Sequence, residues 1–539
     1  MLGIQELDDI ICGHLGRHEL AQCARVCKKW HSVVAPRIWS DLSWLGWYGT
    51  PRRWRAFRSM VLEDYLAGQC HHGLHKQGFH TERAQPPALS NCGQWIQMLP
   101  SIKELLEVLQ PHTLWNQSVQ PTAHELLFHL FKRCSSEMKV QLIQYDYADY
   151  DSDEMKLILS ATLPRARSLH IQAFLEGTWS ESVKLGGMLD QLSHTLENLR
   201  IDFEILGADE VHDMVGNGVE SQASFKELVL NYRSDILDAV GFCSWLWKHC
   251  SHVQKLEIDG IDRSAQSLAQ TMWVYMPDLC EITLCGKDVP EGGIMIEADA
   301  TAAILSGSRS GWKVVTVMSN ARLGRTAMEI MKRHHPTLEK LDIHGNPGLL
   351  RSDLVQLLRD CINLHTFAYI DTPSRWVSDK SYVCTNMFVD LDPDTGTLRP
   401  WKCEKSLKVL QVTLEDITRL GFEEEAALAN REREVEGLLY DRLARLTNLE
   451  VLRLRGYSSR GGRLGYLRMS LDSGLRRLSE LTNLRELDVS GMDTRMSVQE
   501  VQWMVIHWPR LRSIRGFAYG SLNTIAKWLQ EHYPEVQAS

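Results

Sequence analysis

No stretch of this chain approaches the roughly 20 uninterrupted apolar residues that a bilayer-spanning helix needs, so no membrane partner is expected. Positive charge is not in excess either. Fifty-nine Lys and Arg stand against 68 Asp and Glu, a formal net charge of −9, and composition gives no reason to expect nucleic acid. The phosphate-loop pattern G-x-x-x-x-G-K-[ST], the H-E-x-x-H zinc helix and the G-x-S-x-G elbow are all missing. The 13 cysteines show no pairing-like spacing, and their odd number suits reduced, buried thiols. Residues 1–15 carry Glu6, Asp8 and Asp9 and no basic segment leading into an apolar core, unlike a secretion signal. The expectation is an intracellular chain, cytoplasmic and/or nuclear, with no catalytic residues, no cofactor and no metal.

At 539 residues the chain is too long for one compact core, which predicts several domains or a repeat array. The first 45 residues read as three short helices. Ile4, Leu7, Ile10, Ile11 and Leu15 recur at helical spacing, and Gly16-Arg17-His18 interrupts them. Leu20, Cys23, Ala24 and Cys27 form a second stripe beside Val26 and Trp30. A third segment stops ahead of Pro36, and Ile38, Trp39 and Leu42 add apolar surface. A helical trio of this size does not bury a core of its own. It either docks on another protein or caps the end of a larger array.

The same residues resemble the F-box. The likeness rests on Leu2, Ile4, Glu6, Ile10, Leu15, Leu20, the Val26-Cys27-Lys28-Lys29-Trp30 run and Ile38-Trp39, with Gln5 where the family usually carries Pro. The resemblance implies that Leu2, Ile4, Ile10, Ile11, Leu15, Leu20, Val26, Cys27, Trp30 and Trp39 bind a Skp-type adaptor, and through it a cullin-RING ligase.

Behind a poorly legible stretch, 46–135, the unit L-x-x-L-x-L recurs. It appears at Leu196–Ile201, Phe225–Leu230, Val253–Ile258, Leu279–Leu284, Leu338–Ile343, Leu364–Tyr369, Leu407–Val412, Leu449–Leu454 and Leu484–Val489. Weaker copies lie at Val140–Tyr145, Ala166–Ile171, Trp312–Val317 and Leu511–Gly516. Regular intervals run 26 to 29 residues, enough for one short strand and one return helix such as Ala265–Met276 or Ser352–Asp360. The fold class expected is α/β: a three-helix F-box over 1–45, then a leucine-rich-repeat solenoid over 136–539, parallel strands inside and helices outside.

Two intervals stretch to 43 and 42 residues and predict insertions near 371–404 and 421–440. The first holds Asp392-Pro393-Asp394-Thr395-Gly396, a turn suited to a hairpin. The second, rich in Glu and Arg, predicts a charged surface helix. Residues 468–516 also resemble the closing repeats of a group of fungal F-box-like proteins, with landmarks at 471–475, Val498–Met504 and His507-Trp508-Pro509.

The Cys70-His71-His72…His75…His80…Cys92 cluster has ligand residue types but no zinc-site spacing. The expected function therefore lies on a surface. Strand positions facing away from the leucines should meet a protein substrate: Arg200 and Asp202, Glu257 and Asp259, Asp342 and His344, Gln411 and Thr413, Arg453 and Arg455, Asp488 and Ser490. Between Tyr440 and Arg515 there are 14 Arg and no Lys against 8 Asp and Glu. Arg suits bidentate binding of carboxylate or phosphate, which singles out Arg453 and Arg455, with Arg485 or Arg515, for an acidic or phosphorylated segment; convex-surface solvation is the competing account. Substrate recruitment to a ubiquitin ligase is the function expected, and a non-enzymatic interaction scaffold is the alternative.

Overall fold

The computed structural model describes residues 126, 142–146, 168–175, 196–205, 225–232, 250–259, 265–285, 296–318, 321–344, 351–370, 383–384, 388–415, 425–456, 467–490, 492, 496–517 and 519–538. The adaptor-facing set from Leu2 to Trp39 and the Cys70–Cys92 cluster lie outside them. So does the stretch 46–135, apart from the buried Leu126. The chain divides into two compact units, Met1–Val253 and Gln254–Ser539.

In the first unit β1 (Leu142–Asp146), β2 (Ser168–Leu175), β3 (Asn198–Ile205) and β4 (Glu227–Tyr232) pair in parallel and in chain order. Leu169, Leu199 and Leu228 stand in register, as do Ile201 and Leu230, and all five are at most 1% exposed. Two of the four weaker copies in the sequence, near 140–145 and 166–171, thus supply β1 and β2.

The second unit continues with β5 (Lys255–Asp259), β6 (Glu281–Cys285), β7 (Val314–Val317), β8 (Lys340–His344), β9 (Thr366–Ile370), β10 (Val383–Cys384), β11 (Val409–Glu415), β12 (Val451–Gly456), β13 (Glu486–Asp488), β14 (Ser513–Arg515) and β15 (Gln537–Ala538). All pair in parallel, again in chain order, except that β10 attaches to the end of β11 and β9 pairs β11 directly. Helices α1 (Ala265–Tyr275), α2 (Ala298–Leu305), α3 (Arg325–Met331), α4 (Arg351–Asp360), α5 (Glu425–Ala444), α6 (Val498–His507) and α7 (Tyr519–His532) return the chain between strands. One apolar row runs through the unit: Leu256, Ile282, Val315, Leu341, Phe367, Leu410, Leu452, Leu487 and Ile514 are consecutive cross-strand partners. Every one is at most 1% exposed. No repeat closes its own core, so each leucine is buried by its neighbours in the array.

The turns that restart each strand are built by two devices. Pro277, Pro509 and Pro534 follow Met276, Trp508 and Tyr533, whose carbonyls accept from the N–H three residues on, at Leu279, Leu511 and Val536 (2.9–3.2 Å). Proline suits the second position of such a turn and cannot extend the helix before it. Asn363, Asn448 and Asn483, each one residue ahead of a repeat's first leucine, donate to Pro336 O, Lys405 O and Thr447 O of the preceding coil. Ser406 and Thr337 do the same through their hydroxyls. These stitches satisfy carbonyls that the strand ladder leaves over.

Both insertions take shape. Residues Leu391 and Leu398 bridge antiparallel around Gly396 (φ +65°), with Asp392 accepting from the N–H of Asp394 and Thr395, so the Asp392–Gly396 segment forms the expected tight turn. The charged helix is α5, yet it is not a surface helix throughout. Arg433 and Glu434 are exposed, whereas Val435, Leu439, Tyr440 and Leu443 are buried at helical spacing, together with Glu436 and Arg442. Arg442 is fully buried; it donates to Phe388 O (3.1 Å), pairs with Glu404 (2.8 Å) and lies over the Trp401 ring. Partners 38 and 54 residues away turn an apparently solvated charge into core.

Candidate functional site

Successive strand side chains alternate between faces, so burying the leucine row turns the intervening residues to the opposite side. In the second unit that outward row is Glu257, Thr283, Thr316, Asp342, Ala368, Gln411, Arg453, Asp488 and Arg515, consecutive partners across nine strands. Glu257, Asp342, Gln411, Arg453 and Asp488 therefore belong to one line, with neighbouring strands about 4.8 Å apart. Asp259, His344, Thr413 and Arg455 lie one step further along their strands. Arg200 and Asp202 occupy the corresponding rows of the first unit, beside His170, Val229, Gln172 and Asn231.

The first unit's site is a polar knot. Asp202, 7% exposed, accepts from Asn231 (2.7 Å) and Arg200 (3.1 Å) and pairs with His170 Nε2 (2.7 Å). Burial works against its charge, but the hydrogen bonds and charges of His170 and Arg200 hold the carboxyl below the usual aspartate range. His170 is the partner that sequence reasoning missed, because the copy containing it has a poor leucine pattern.

In the second unit the outward charges are sorted along the array. Glu257, Asp259 and Glu281 face Lys255 alone on β5 and β6. Burial and the carboxylates of Glu257 and Asp259 push the Cys285 thiol up to about 11. Burial also raises Cys280 and Cys361, and lifts Cys403 to about 12. A nucleophilic cysteine needs the opposite shift. On β8, Asp342 pairs with His344 (2.7 Å) and Lys340 (3.5 Å); these outweigh burial and keep its carboxyl low.

Arginines take over on β12 to β14. Arg453 grips Glu486 of the next strand with both arms, Nε to Oε1 at 2.7 Å and an Nη to Oε2 at 3.1 Å. Arg455 lies 3.6 Å from Asp488, which is 2% exposed and also accepts from the Ser490 N–H (3.0 Å). Arg485 lies 3.5 Å from Glu450. Arg512 and Arg515 are exposed, and their guanidinium groups have no ion-pair partner among the described residues. The face thus offers carboxylates at one end and guanidinium forks at the other. Among the described residues no group of three or more His, Cys, Asp or Glu could hold a metal ion, and no helix is long and apolar enough to cross a membrane.

Comparison with known proteins returns one family. Residues 10–43 match the F-box-like domain, an interval that contains Ile10, Ile11, Leu15, Leu20, Val26, Cys27, Trp30 and Trp39 but begins after Leu2, Ile4 and Gln5. No curated protein matches the chain. The chain thus joins an F-box-like domain at residues 10–43 to an α/β array of parallel strands.

Proposed function

We propose that this protein is the substrate-recognition subunit of an SCF-type, cullin-RING ubiquitin ligase, and that its parallel array is a leucine-rich-repeat solenoid. The carrying observation is the F-box-like match at residues 10–43 in the same chain as a long outward sheet face. F-box domains dock on Skp-type adaptors through an apolar helical face; here Ile10, Ile11, Leu15, Leu20, Val26, Cys27, Trp30 and Trp39 supply it, extended by Leu2 and Ile4. The repeat reading is supported by the unbroken apolar row from Leu256 to Ile514. Such a subunit performs no chemistry of its own. It raises the effective concentration of a substrate lysine near a ubiquitin-loaded partner, working in the cytoplasm and/or nucleus without a cofactor.

The test is affinity capture of the full chain from its native cell with the cullin complex inhibited. Recovery of a Skp-type adaptor, a cullin and stabilised substrates supports the assignment, and Trp30→Ala with Trp39→Ala should abolish adaptor recovery. Capture of array-bound proteins without any adaptor would instead establish the scaffold reading. Gln5 favours that alternative, since it stands where F-boxes usually start their first helix with Pro, and Gln5→Pro should then restore adaptor binding.

A further inference from the structure

We propose that the exposed arginines Arg485 and Arg512, which lead into β13 and β14, together with Arg515 on the outward row of β14, dock a carboxylate-rich segment of the substrate protein; the inference rests on the recruitment role above. Its basis is a charge imbalance that the structure localises. Over β7 to β9 the charges on and just ahead of the strands cancel, with Lys313 and Lys340 against Glu339 and Asp342. On and just ahead of β12 to β14 the described cations are Arg453, Arg455, Arg485, Arg512 and Arg515, against the carboxylates of Glu450, Glu486 and Asp488.

Those three carboxylates are already engaged. Glu486 is held by both arms of Arg453. Glu450 is shared between Arg485 at 3.5 Å and Lys408 at 3.9 Å. Asp488 takes the Ser490 N–H and faces Arg455. The surplus falls on Arg512 and Arg515, with Arg485 only loosely bound. The Arg512 N–H donates to Arg485 O (2.7 Å), so these two stand side by side on the residues that lead into β14 and β13. Arg515 closes β14, three residues on from Arg512 and about 10 Å from it at 3.3 Å per residue. Like charges side by side, as at Arg485 and Arg512, repel, and an incoming anion relieves them.

The anion is a carboxylate. The tightest contact that this face makes is the two-armed grip of Arg453 on Glu486, and guanidinium forks match that geometry.

The test uses the full chain and a fluorescein-labelled oligoglutamate peptide, followed by anisotropy at two salt concentrations. The wild type should bind in a salt-sensitive way. Arg485→Gln/Arg512→Gln/Arg515→Gln should weaken binding by about tenfold or more. Arg433→Gln/Arg476→Gln/Lys527→Gln removes as much charge from exposed positions on return segments and should change it by less than about twofold. Circular dichroism and thermal melting check that both variants fold. Equal losses in the two variants would reduce the effect to net charge and overturn the site. So would a wild type that ignores oligoglutamate, or one that binds only an oligophosphoserine peptide. Adaptor co-purification from the same preparations separates the two proposals: adaptor retained without peptide binding sinks the docking site alone, whereas peptide bound without adaptor sinks the ligase role alone.

Discussion

The guanidinium carbon of Arg442 sits 4.4 Å from the centre of the Trp401 ring, and no part of the arginine side chain reaches solvent. Phe388, Trp401 and Glu404 belong to the insertion that leads into β11, and Arg442 to α5. One buried cation therefore ties the additional segments onto the repeats. Removing one partner of a buried ion pair costs about 3–5 kcal/mol because the other charge is left unmatched. Arg442→Ala should lose that much in urea unfolding, and Arg442→Lys should recover little, since an ammonium cannot both reach Phe388 O and lie flat on the indole. A loss under about 1 kcal/mol would show that the pair is exposed to water in solution.

Leu452 stands between Leu410 and Leu487 in the apolar row, fully buried. Leu452→Ala should cost about 2–5 kcal/mol. Contacts in such an array are made with neighbouring repeats, so hydrogen exchange should accelerate over β11 to β13 and stay near wild-type rates on β6 and β7. A uniform acceleration would mean that the second unit opens only as a whole.

Two glycines with positive φ should respond differently to alanine. At Gly516 (φ +102°) a Cβ would fall 2.5 Å from the carbonyl carbon of Val489 and 2.6 Å from Ser490 N, backbone atoms that cannot step aside. At Gly396 (φ +65°) nothing lies within 4 Å. Gly396→Ala should cost only the conformational penalty of about 1–2 kcal/mol. Gly516→Ala should cost clearly more and disturb β13, and equal melting shifts for the two would contradict the close approach.

The Trp312 backbone N–H points at His334 Nδ1 (3.3 Å), so that nitrogen must carry no proton. Burial, with help from the charges of Arg333 and His335, lowers the His334 pKa to about 4. The folded state resists protonation more than the unfolded one. The resulting stability is complete above the unfolded value near 6.5 and drains away as pH falls toward 4, by up to about 3 kcal/mol. Melting temperature measured from pH 7.5 to 4.5 should fall, and His334→Gln should flatten part of that slope. An unchanged slope would place the acid sensitivity elsewhere.

Much of the strand array was legible because its signal is chemical and periodic: Leu449, Leu452 and Leu454 must be apolar wherever the coil falls. The weak copies became strands for the same reason, since Trp312, Val315 and Val317 fill the leucine places with other apolar shapes. The buried half of α5 was not legible, because Glu436 and Arg442 look solvated until Arg468, Glu404 and Phe388 arrive from elsewhere in the chain. The asparagine stitches escaped too. Each Asn satisfies a carbonyl in another coil, and composition carries no trace of that partner.

By itself the sequence determined which strand residues turn inward, where the array lengthens, and that an F-box-like segment precedes it, since these follow from spacing and residue type along the chain. Only the tertiary structure decided which arginines have charge to spare. Arg453 and Arg515 are alike as residues on a strand, but Arg453 meets Glu486 across 33 positions, while Arg515 has no such partner among the described residues. Ion pairing is settled by neighbours on adjacent strands, and parallel pairing brings those neighbours from a full coil away.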